Sequence, residues 1–224
     1  MKNSMYLPFP SKGLYAITPD RLQGDALLAA AESAILGGAA VVQYRPKSGP
    51  ASDRLSDGIR LQELCRTAGI PLIVNDSPRL AAEIGADGVH LGKNDGSVAA
   101  ARHVLGDRAV VGISCYDSLE RALRAEAEGA NYVAFGALFP SATKPCASRA
   151  RLETLREAGT RLQIPIVAIG GIDTTNGGQV IGAGADLVAA VEAVFGAADV
   201  ARAARELCSL FHAPRKRRPH CDDA

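Results

Sequence analysis

The hydrophobic positions of the chain fall into two alternating kinds of segment. Eight short runs are rich in β-branched or other apolar residues, as strands buried on both faces are. They are Leu14–Thr18, Ala40–Tyr44, Leu72–Val74, Gly88–His90, Val110–Ile113, Tyr132–Phe135, Ile164–Ile169 and Leu187–Ala190. The longer segments between them carry apolar residues at helical spacing, such as Leu27, Ala31 and Ile35. The pattern predicts a repeated strand–helix unit.

The number of units favours one closed barrel. Eight units in 224 residues leave about 28 residues each, which fits a single (β/α)8 TIM barrel, an α/β fold, over residues 1–213. A doubly wound open sheet is the competing architecture, but it usually has about six strands. Residues 214–224 have no apolar period and contain the basic run Arg215–Arg218, which predicts a disordered, solubilising tail. Contact of this run with a nucleic acid or an acidic partner is the alternative.

Some element boundaries are marked by short motifs. Asp117 followed by Glu120 fits a capping box at the start of the helix after the fifth strand. Gly129 and Gly184 fall where helices are expected to end. These signals agree with the alternation of strands and helices.

Composition narrows the class of protein. Hydrophobic residues make up 47% and charged residues 22%, which is typical of a soluble globular chain. The formal net charge of +1 argues against a globally basic nucleic-acid binder. No apolar run reaches the roughly 18 residues of a membrane span, and Met1–Pro10 is too short for a signal peptide. Five cysteines without a Cys-x-x-Cys pair suggest neither a zinc site nor a disulfide framework. We therefore expect a cytoplasmic enzyme without a membrane partner.

Polar residues follow nearly every predicted strand, and in a (β/α)8 barrel the carboxyl ends of the strands carry the active site. In chain order they are Gln43–Lys47, Asn75 and Asp76, Asp95, Ser114, the loop Gly136–Lys144, Gly170 and Gly171, and Glu192. A closed barrel brings all of them to one rim.

The charged residues of this rim form two groups, cations that suit a polyanion and carboxylates that suit a metal ion. Arg45, Lys47 and Lys144 are three cations suited to a polyanion. Asp76 and Asp95 are hard oxygen ligands of the kind that hold Mg²⁺ together with substrate phosphates. Cations and a carboxylate-bound metal together suggest a diphosphate.

The glycine pair suggests a second anion. Gly170 and Gly171 precede a helix that begins near Asn176, and barrels often bind phosphate after strands seven and eight. Two anion sites imply two phosphorylated substrates, and hence a transferase.

Each motif taken alone has a structural alternative. Gln43–Lys47 also fits a solvated salt-bridge network, and Asn75-Asp76 before Pro78 also fits a turn or helix cap. The glycine pair also fits a simple turn, and His90 fits a core histidine packed beneath the site.

The motifs in order resemble the thiamine-phosphate synthase family. They cover residues 13 to 195, and eight of them occur in succession. They are Gly13–Thr18, Gln43–Lys47, Val74–Asp76, Gly88–Gly92 with Asp95, Gly112–Ser114, Gly136 with Pro140–Lys144, Ile169–Ile172 and Gly184–Ala189.

The resemblance implies specific roles for these residues. Pyrimidine-diphosphate contacts are implied for Gln43, Tyr44, Arg45, Pro46, Lys47, Asn75, Ser114 and Lys144. Within that set Arg45, Lys47, Ser114 and Lys144 are the catalytic residues, and Ser114 is the one that hydrogen-bonds the pyrimidine. Mg²⁺ ligation is implied for Asp76 and Asp95. Thiazole-phosphate contacts are implied for Ser141, Ala142, Thr143, Gly171, Val191 and Glu192.

The family's activity joins a hydroxymethylpyrimidine diphosphate to a thiazole phosphate and releases diphosphate. The implied chemistry is dissociative: diphosphate leaves first, and the thiazole nitrogen then attacks the pyrimidine methylene cation. Such a reaction requires stabilisation of charge on the leaving group, close positioning and exclusion of water, rather than a strong base.

Two residues depart from the family pattern. Val191-Glu192 stands where an aliphatic residue and a serine usually help to hold the thiazole phosphate, so we expect Glu192 to point outward or the contact to be made by backbone N–H groups. Tyr116 stands where a sister family of thiazole tautomerases has a catalytic histidine.

Two other functions remain as alternatives. One is the tautomerase, against which the full set of diphosphate-binding charges argues. The other is a catalytically silent barrel that binds thiamine intermediates as a regulator. The carboxylation state of the thiazole substrate stays open, as does the choice between a monomer and a homo-oligomer.

Overall fold

A computed structural model describes residues 6–140 and 150–212. Within these ranges the chain forms eight parallel strands. They are β1 (Gly13–Ile17), β2 (Val41–Tyr44), β3 (Leu72–Asn75), β4 (Gly88–Leu91), β5 (Val110–Tyr116), β6 (Tyr132–Phe135), β7 (Ile166–Ile169) and β8 (Leu187–Ala190). The predicted basic tail, residues 214–224, lies outside the described residues.

The strands close into a barrel in the order in which they occur along the chain. Closure is made by β1 and β8, which pair in parallel with Gly13 opposite Leu187. The (β/α)8 prediction is therefore confirmed, and the open sheet is excluded. β7 begins at Ile166, later than predicted. The backbone N–H of Ile164 bonds to the Glu126 carboxylate, and Pro165 has no N–H to give to a strand partner.

Nine α-helices are described, and they lie between and after the strands. They are α1 (Gly24–Leu36), α2 (Ala51–Ala68), α3 (Pro78–Ile84), α4 (Val98–Leu105), α5 (Leu119–Ala127), α6 (Leu152–Arg161), α7 (Gly177–Gly182), α8 (Glu192–Phe195) and α9 (Val200–Ser209), followed by a 3₁₀ turn at Leu210–His212. No helix among the described residues is long and apolar enough to cross a membrane.

The predicted capping box at Asp117 is wrong. The N-cap of α5 is Ser118, whose hydroxyl accepts the backbone N–H of Arg121. Asp117 instead accepts two hydrogen bonds from Arg151, one from its backbone N–H and one from its guanidinium. Both residues are good caps, and the sequence does not show that Arg151 will engage the aspartate.

Successive strand residues point alternately to the helices and to the barrel interior. In β2, Val42 and Tyr44 pack in the helix layer, whereas Val41 belongs to the interior cluster. The same alternation turns Gln43 inward. Phe9, which precedes β1, stacks on the Tyr132 ring at a centroid distance of 3.9 Å and covers the interior from below. The site is consequently open at the carboxyl ends of the strands.

Candidate active site

A cavity of about 720 Å³ opens at the carboxyl ends of the strands and extends down to the polar interior of the barrel. It brings together most of the residues predicted from the sequence. They are Gln43, Arg45, Lys47, Asn75, Asp76, Asp95, Ser114, Gly171, Val191 and Glu192. Ser141, Ala142, Thr143 and Lys144 lie outside the described residues, so their roles stay predictions.

Two residues of the Gln43–Lys47 motif are placed away from this cavity. The Tyr44 side chain packs in the helix layer, and its hydroxyl donates to the Arg54 carbonyl at 3.0 Å. Pro46 lines a small crevice beside the cavity. The period of two in β2 turns Gln43 inward and the Tyr44 side chain towards the helices. The substrate contacts that the resemblance implies for Tyr44 and Pro46 stay predictions.

An acidic pair lies at the mouth of the cavity. Asp76 has a φ of 66°, a left-handed conformation that aspartate tolerates better than most residues, and its backbone N–H donates to the His90 carbonyl at 2.8 Å. Asp95 accepts the Gly92 N–H at 2.8 Å. The carboxyl groups of Asp76 and Asp95 are in hydrogen-bonding contact. The turn after β3 and the loop after β4 thus converge on one point.

The two carboxyl groups differ in their electrostatics. Burial acts to raise the pKa of Asp76, but the ammonium of Lys47, which donates a hydrogen bond to it, and the contact with Asp95 bring that pKa below its ordinary value. Burial and the neighbouring Asp76 carboxylate raise the pKa of Asp95. A divalent cation held by both carboxylates would offset the electrostatic repulsion between them.

The donor set fits Mg²⁺. Proteins usually bind Mg²⁺ through one or two carboxylates, and phosphate oxygens and water molecules fill its other coordination positions. Asp76 and Asp95 supply two such carboxylates beside a cavity that suits a phosphorylated ligand. Within residues 6–140 and 150–212, no cluster of three or more histidine, cysteine, aspartate or glutamate side chains could hold a metal.

The loop that carries the cations is fixed by a residue that sequence reasoning missed. Asp20 accepts the backbone N–H groups of Lys47 and Ser48 at 2.5 and 2.9 Å. The Arg45 N–H donates to the Thr18 hydroxyl at 3.1 Å. These contacts join the loop after β1 to the loop after β2, so that Arg45 and Lys47 both face the cavity.

The floor of the cavity is polar. The Gln43 amide donates from Nε2 to the Tyr15 hydroxyl at 2.9 Å. His90 bonds to the Ser114 hydroxyl through Nε2 at 2.8 Å and to the Tyr132 hydroxyl through Nδ1 at 3.0 Å. His90 is 8% exposed, which agrees with its interpretation as a histidine packed beneath the site.

The opposite side of the cavity holds the glycine turn. Gly171 has a φ of 59°, and a Cβ there would lie 2.1 Å from the Pro140 carbonyl oxygen. Both the positive φ and the close carbonyl oxygen therefore exclude a side chain at this position. Asn176 donates from Nδ2 to the Gly171 carbonyl at 2.9 Å, which holds the turn in place before α7.

Glu192 has a cationic partner. Arg21 donates from Nη1 to its carboxylate at 2.8 Å and from Nη2 to the Phe195 carbonyl at 2.9 Å. The carboxylate is neutralised from the loop after β1. Glu192 lines the cavity and is paired with Arg21 there, so its expected outward orientation stays a prediction.

Tyr116 is a cavity residue that sequence reasoning did not assign to a site. It has a φ of 56° and follows a register shift between β5 and β6. Its hydroxyl accepts the Lys93 N–H at 3.2 Å, and the Arg121 guanidinium lies 5.9 Å from its ring centroid. No periodic pattern in the sequence signals such an irregularity.

Fold and site together define a class: a (β/α)8-barrel enzyme whose rim of cations, paired carboxylates and a glycine turn suits small phosphorylated substrates. The comparisons with known proteins place the chain within that class. The sequence profile of the thiamine monophosphate synthase family matches residues 14–194. The chain belongs to this family.

Individual relatives agree. The chain is 98% identical over 224 residues, 100% of both proteins, to the thiamine-phosphate synthase of Methylococcus capsulatus. It is 50% identical over 205 residues to that of Thiobacillus denitrificans, which covers 92% of this chain and 97% of the relative. The solved structure of thiamine phosphate pyrophosphorylase from Pyrococcus furiosus superposes with a TM-score of 0.82 at 36% identity, covering 90% of this chain and 96% of that one.

Proposed function

We propose that this chain is a thiamine-phosphate synthase. It condenses 4-amino-2-methyl-5-(diphosphooxymethyl)pyrimidine with a thiazole phosphate, giving thiamine phosphate and diphosphate. The observation that carries the assignment is the convergence of Lys47, Asp76 and Asp95 beside a polar floor that contains Gln43 and Ser114. One wall suits a departing diphosphate, and the floor suits a heterocycle with hydrogen-bonding edges.

The reaction exchanges one bond for another. The C–O bond between the pyrimidine methylene and diphosphate breaks, and its electron pair leaves with diphosphate. A C–N bond then forms from the lone pair of the thiazole nitrogen. Charge grows on the diphosphate oxygens in the transition state, so Arg45 and Lys47 bind that state more tightly than the ground state.

Asp76 and Asp95 would hold Mg²⁺, which when bound supplies further positive charge to the diphosphate oxygens. The protein itself prepares this arrangement by fixing Asp76 in its turn and by holding Asp95 against the Gly92 N–H. Lys144 is proposed to add a third cation, as the family resemblance implies.

The thiazole phosphate is proposed to bind on the Gly171 side of the cavity. Gly170 and Gly171 form a turn without side chains, which lets backbone N–H groups approach an anion closely. Val191 and Glu192 border the same side, and Arg21 offsets the charge of Glu192. Ser141, Ala142 and Thr143 are proposed to complete this half of the site.

We propose the cytoplasm as the cellular setting of this chain. Among the described residues, the free thiols of Cys65, Cys115 and Cys208 are compatible with a reducing compartment. The tautomerase alternative would require no diphosphate binding. It is disfavoured because Arg45, Lys47, Asp76 and Asp95 all face the cavity and because the relatives above are named as synthases.

The test is an assay of thiamine phosphate formation from the two purified substrates, with and without Mg²⁺. We expect product that depends on both substrates and that disappears with EDTA and returns with Mg²⁺. Binding of both substrates without turnover would contradict the proposal and favour the silent regulatory barrel.

A further inference from the structure

Gln43 and Ser114 are joined beneath the cavity by an unbroken chain of hydrogen bonds. Gln43 Nε2 donates to Tyr15 Oη at 2.9 Å, and Tyr15 Oη bonds to Tyr132 Oη at 2.9 Å. Tyr132 Oη bonds to His90 Nδ1 at 3.0 Å, and His90 Nε2 bonds to Ser114 Oγ at 2.8 Å. The chain crosses the barrel from β2 to β5 through β1, β6 and β4.

The fold is shaped to hold the middle of this chain. Tyr15 is 1% exposed and Tyr132 is 0% exposed. A Cβ on Gly112 would lie 2.0 Å from the Tyr132 ring, so this glycine makes room for the ring inside the barrel. Phe9 stacks on the other side of that ring. The other buried members of the interior hydrophobic cluster are aliphatic. Burying two tyrosine hydroxyls beside them costs free energy unless each hydroxyl is hydrogen-bonded.

Either hydroxyl of the Tyr15–Tyr132 pair could donate, and the roles of the His90 ring nitrogens depend on its tautomer. One order gives the protons of Tyr15, Tyr132 and His90 an acceptor within the chain. In this order Tyr15 Oη accepts from the Gln43 amide and donates its own proton to Tyr132 Oη. The Tyr132 proton then goes to His90 Nδ1. A neutral His90 that accepts at Nδ1 carries its proton on Nε2 and donates it to Ser114. Burial raises the pKa of both tyrosines, so their hydroxyls keep the protons that this order requires.

The order determines what each end of the chain offers to a ligand. Gln43 directs one of its two amide N–H groups to Tyr15, which turns its acceptor Oε1 away from Tyr15 and towards the cavity that Gln43 lines. Ser114 Oγ accepts from His90, so it offers its hydroxyl proton to the cavity. An aminopyrimidine is complementary to both ends, since its amino group can donate to Gln43 Oε1 and a ring nitrogen can accept from the Ser114 hydroxyl. An oxopyrimidine presents an acceptor and a ring N–H donor at the same edge.

We propose that Tyr15, Tyr132 and His90 are positioning residues that order the protons between Gln43 and Ser114, so that the site accepts 4-aminopyrimidines and rejects 4-oxopyrimidines. This inference rests on the proposed function for the identity of the ligand. The three residues act through Gln43 and Ser114. Without the Tyr132 hydroxyl, the Tyr15 proton has no acceptor there, so the Gln43 amide can rotate and accept it through Oε1. Gln43 would then present its N–H groups, and not Oε1, to the cavity.

The test compares two ligands in Tyr132→Phe. The KM of the 4-amino pyrimidine diphosphate and the Ki of its 4-oxo analogue are measured in the wild type and the variant, at saturating thiazole phosphate. We expect Tyr132→Phe, which keeps the stacking on Phe9, to lower the preference for the amino ligand by about tenfold. Tyr15→Phe should do the same. A merely structural role would weaken both ligands alike and leave the ratio unchanged.

The control is Tyr6→Phe, because the Tyr6 hydroxyl donates to the Leu105 carbonyl at 2.8 Å on the outside of the barrel. Its amino-to-oxo preference should stay within about twofold of the wild type. An unchanged preference in both Tyr132→Phe and Tyr15→Phe would overturn the proposal.

A second measurement stands even if these variants fail to fold. Nitrogen NMR of the uniformly ¹⁵N-labelled wild type should place the His90 proton on Nε2, with Nδ1 unprotonated. A proton on Nδ1 would overturn the proposal. A wild type that forms no thiamine phosphate while its His90 carries the proton on Nε2 would defeat the proposed function and leave the proton order standing.

Discussion

Arg21 and Glu192 form a direct ion pair, with Nη1 of the arginine 2.8 Å from Oε1 of the glutamate. The pair links the loop after β1 to the start of α8 on the side where we propose that thiazole phosphate binds. It explains how a carboxylate is tolerated at this position. Both side chains are about half exposed, so the pair itself contributes little stability.

The first prediction concerns this pair. Arg21→Ala leaves the Glu192 carboxylate unpaired near the proposed phosphate, so the KM for thiazole phosphate should rise about threefold, the scale of an exposed charge pair. Glu192→Ser alone should be nearly silent. The double variant should return towards the wild-type KM. A tenfold lower KM in Glu192→Ser would show instead that the carboxylate opposes the phosphate in the native protein.

The second prediction concerns the acidic pair. Asp76→Asn and Asp95→Asn should each abolish Mg²⁺-dependent turnover, because the amide removes a charge from the metal site. Asparagine is chosen at Asp76 because it tolerates the φ of 66°. The matched control is Asp25→Asn, an exposed carboxylate paired with Arg60, which should keep full activity. Turnover that survives in either site variant at saturating Mg²⁺ contradicts the metal assignment.

The third prediction separates binding from catalysis at Arg45. Arg45→Ala should lower kcat by about 10²–10³, and raise the KM for the pyrimidine diphosphate by much less. The reason is that charge on the leaving oxygens grows as the C–O bond breaks. Steady-state kinetics measures both constants. Arg66→Ala, an exposed arginine on α2, is the control. A KM effect with unchanged kcat would mean uniform ground-state binding.

The fourth prediction concerns stability. Gly112→Ala places a methyl group 2.0 Å from the Tyr132 ring, so it should lower the free energy of unfolding by about 1–3 kcal/mol. Gly182→Ala on α7 is the control, since a Cβ there has no neighbour within 4 Å. That control should raise stability by about 0.5–1 kcal/mol through helix propensity. Urea denaturation measures both, and equal effects would contradict the packing argument.

The barrel was predictable because its signals are local and repeated. Each strand is a short apolar run, and because the active site of this fold lies at the carboxyl ends of the strands, the sequence alone places Asp76 and Asp95 at one rim. The inward direction of Gln43 follows from the period of two in β2, and the same rule turns Tyr44 outward.

Other features depend on contacts between distant segments. Asp20 holds the loop of Lys47 across 27 positions of sequence, and Arg21 reaches Glu192 across 171. The left-handed conformation of Tyr116 follows from a register shift between two strands. A side chain whose role is set by its partner carries no local pattern, which is why Asp117 was expected to cap a helix that Ser118 caps.

The central claim is that one rim of the barrel breaks the pyrimidine C–O bond and forms the C–N bond to the thiazole. The most direct measurement is the stoichiometry of the reaction, with diphosphate and thiamine phosphate quantified against the pyrimidine diphosphate consumed. With both substrates saturating and Mg²⁺ present, we predict one diphosphate and one thiamine phosphate for each pyrimidine substrate consumed. Diphosphate release without thiamine phosphate under these conditions, or neither product, would contradict the account.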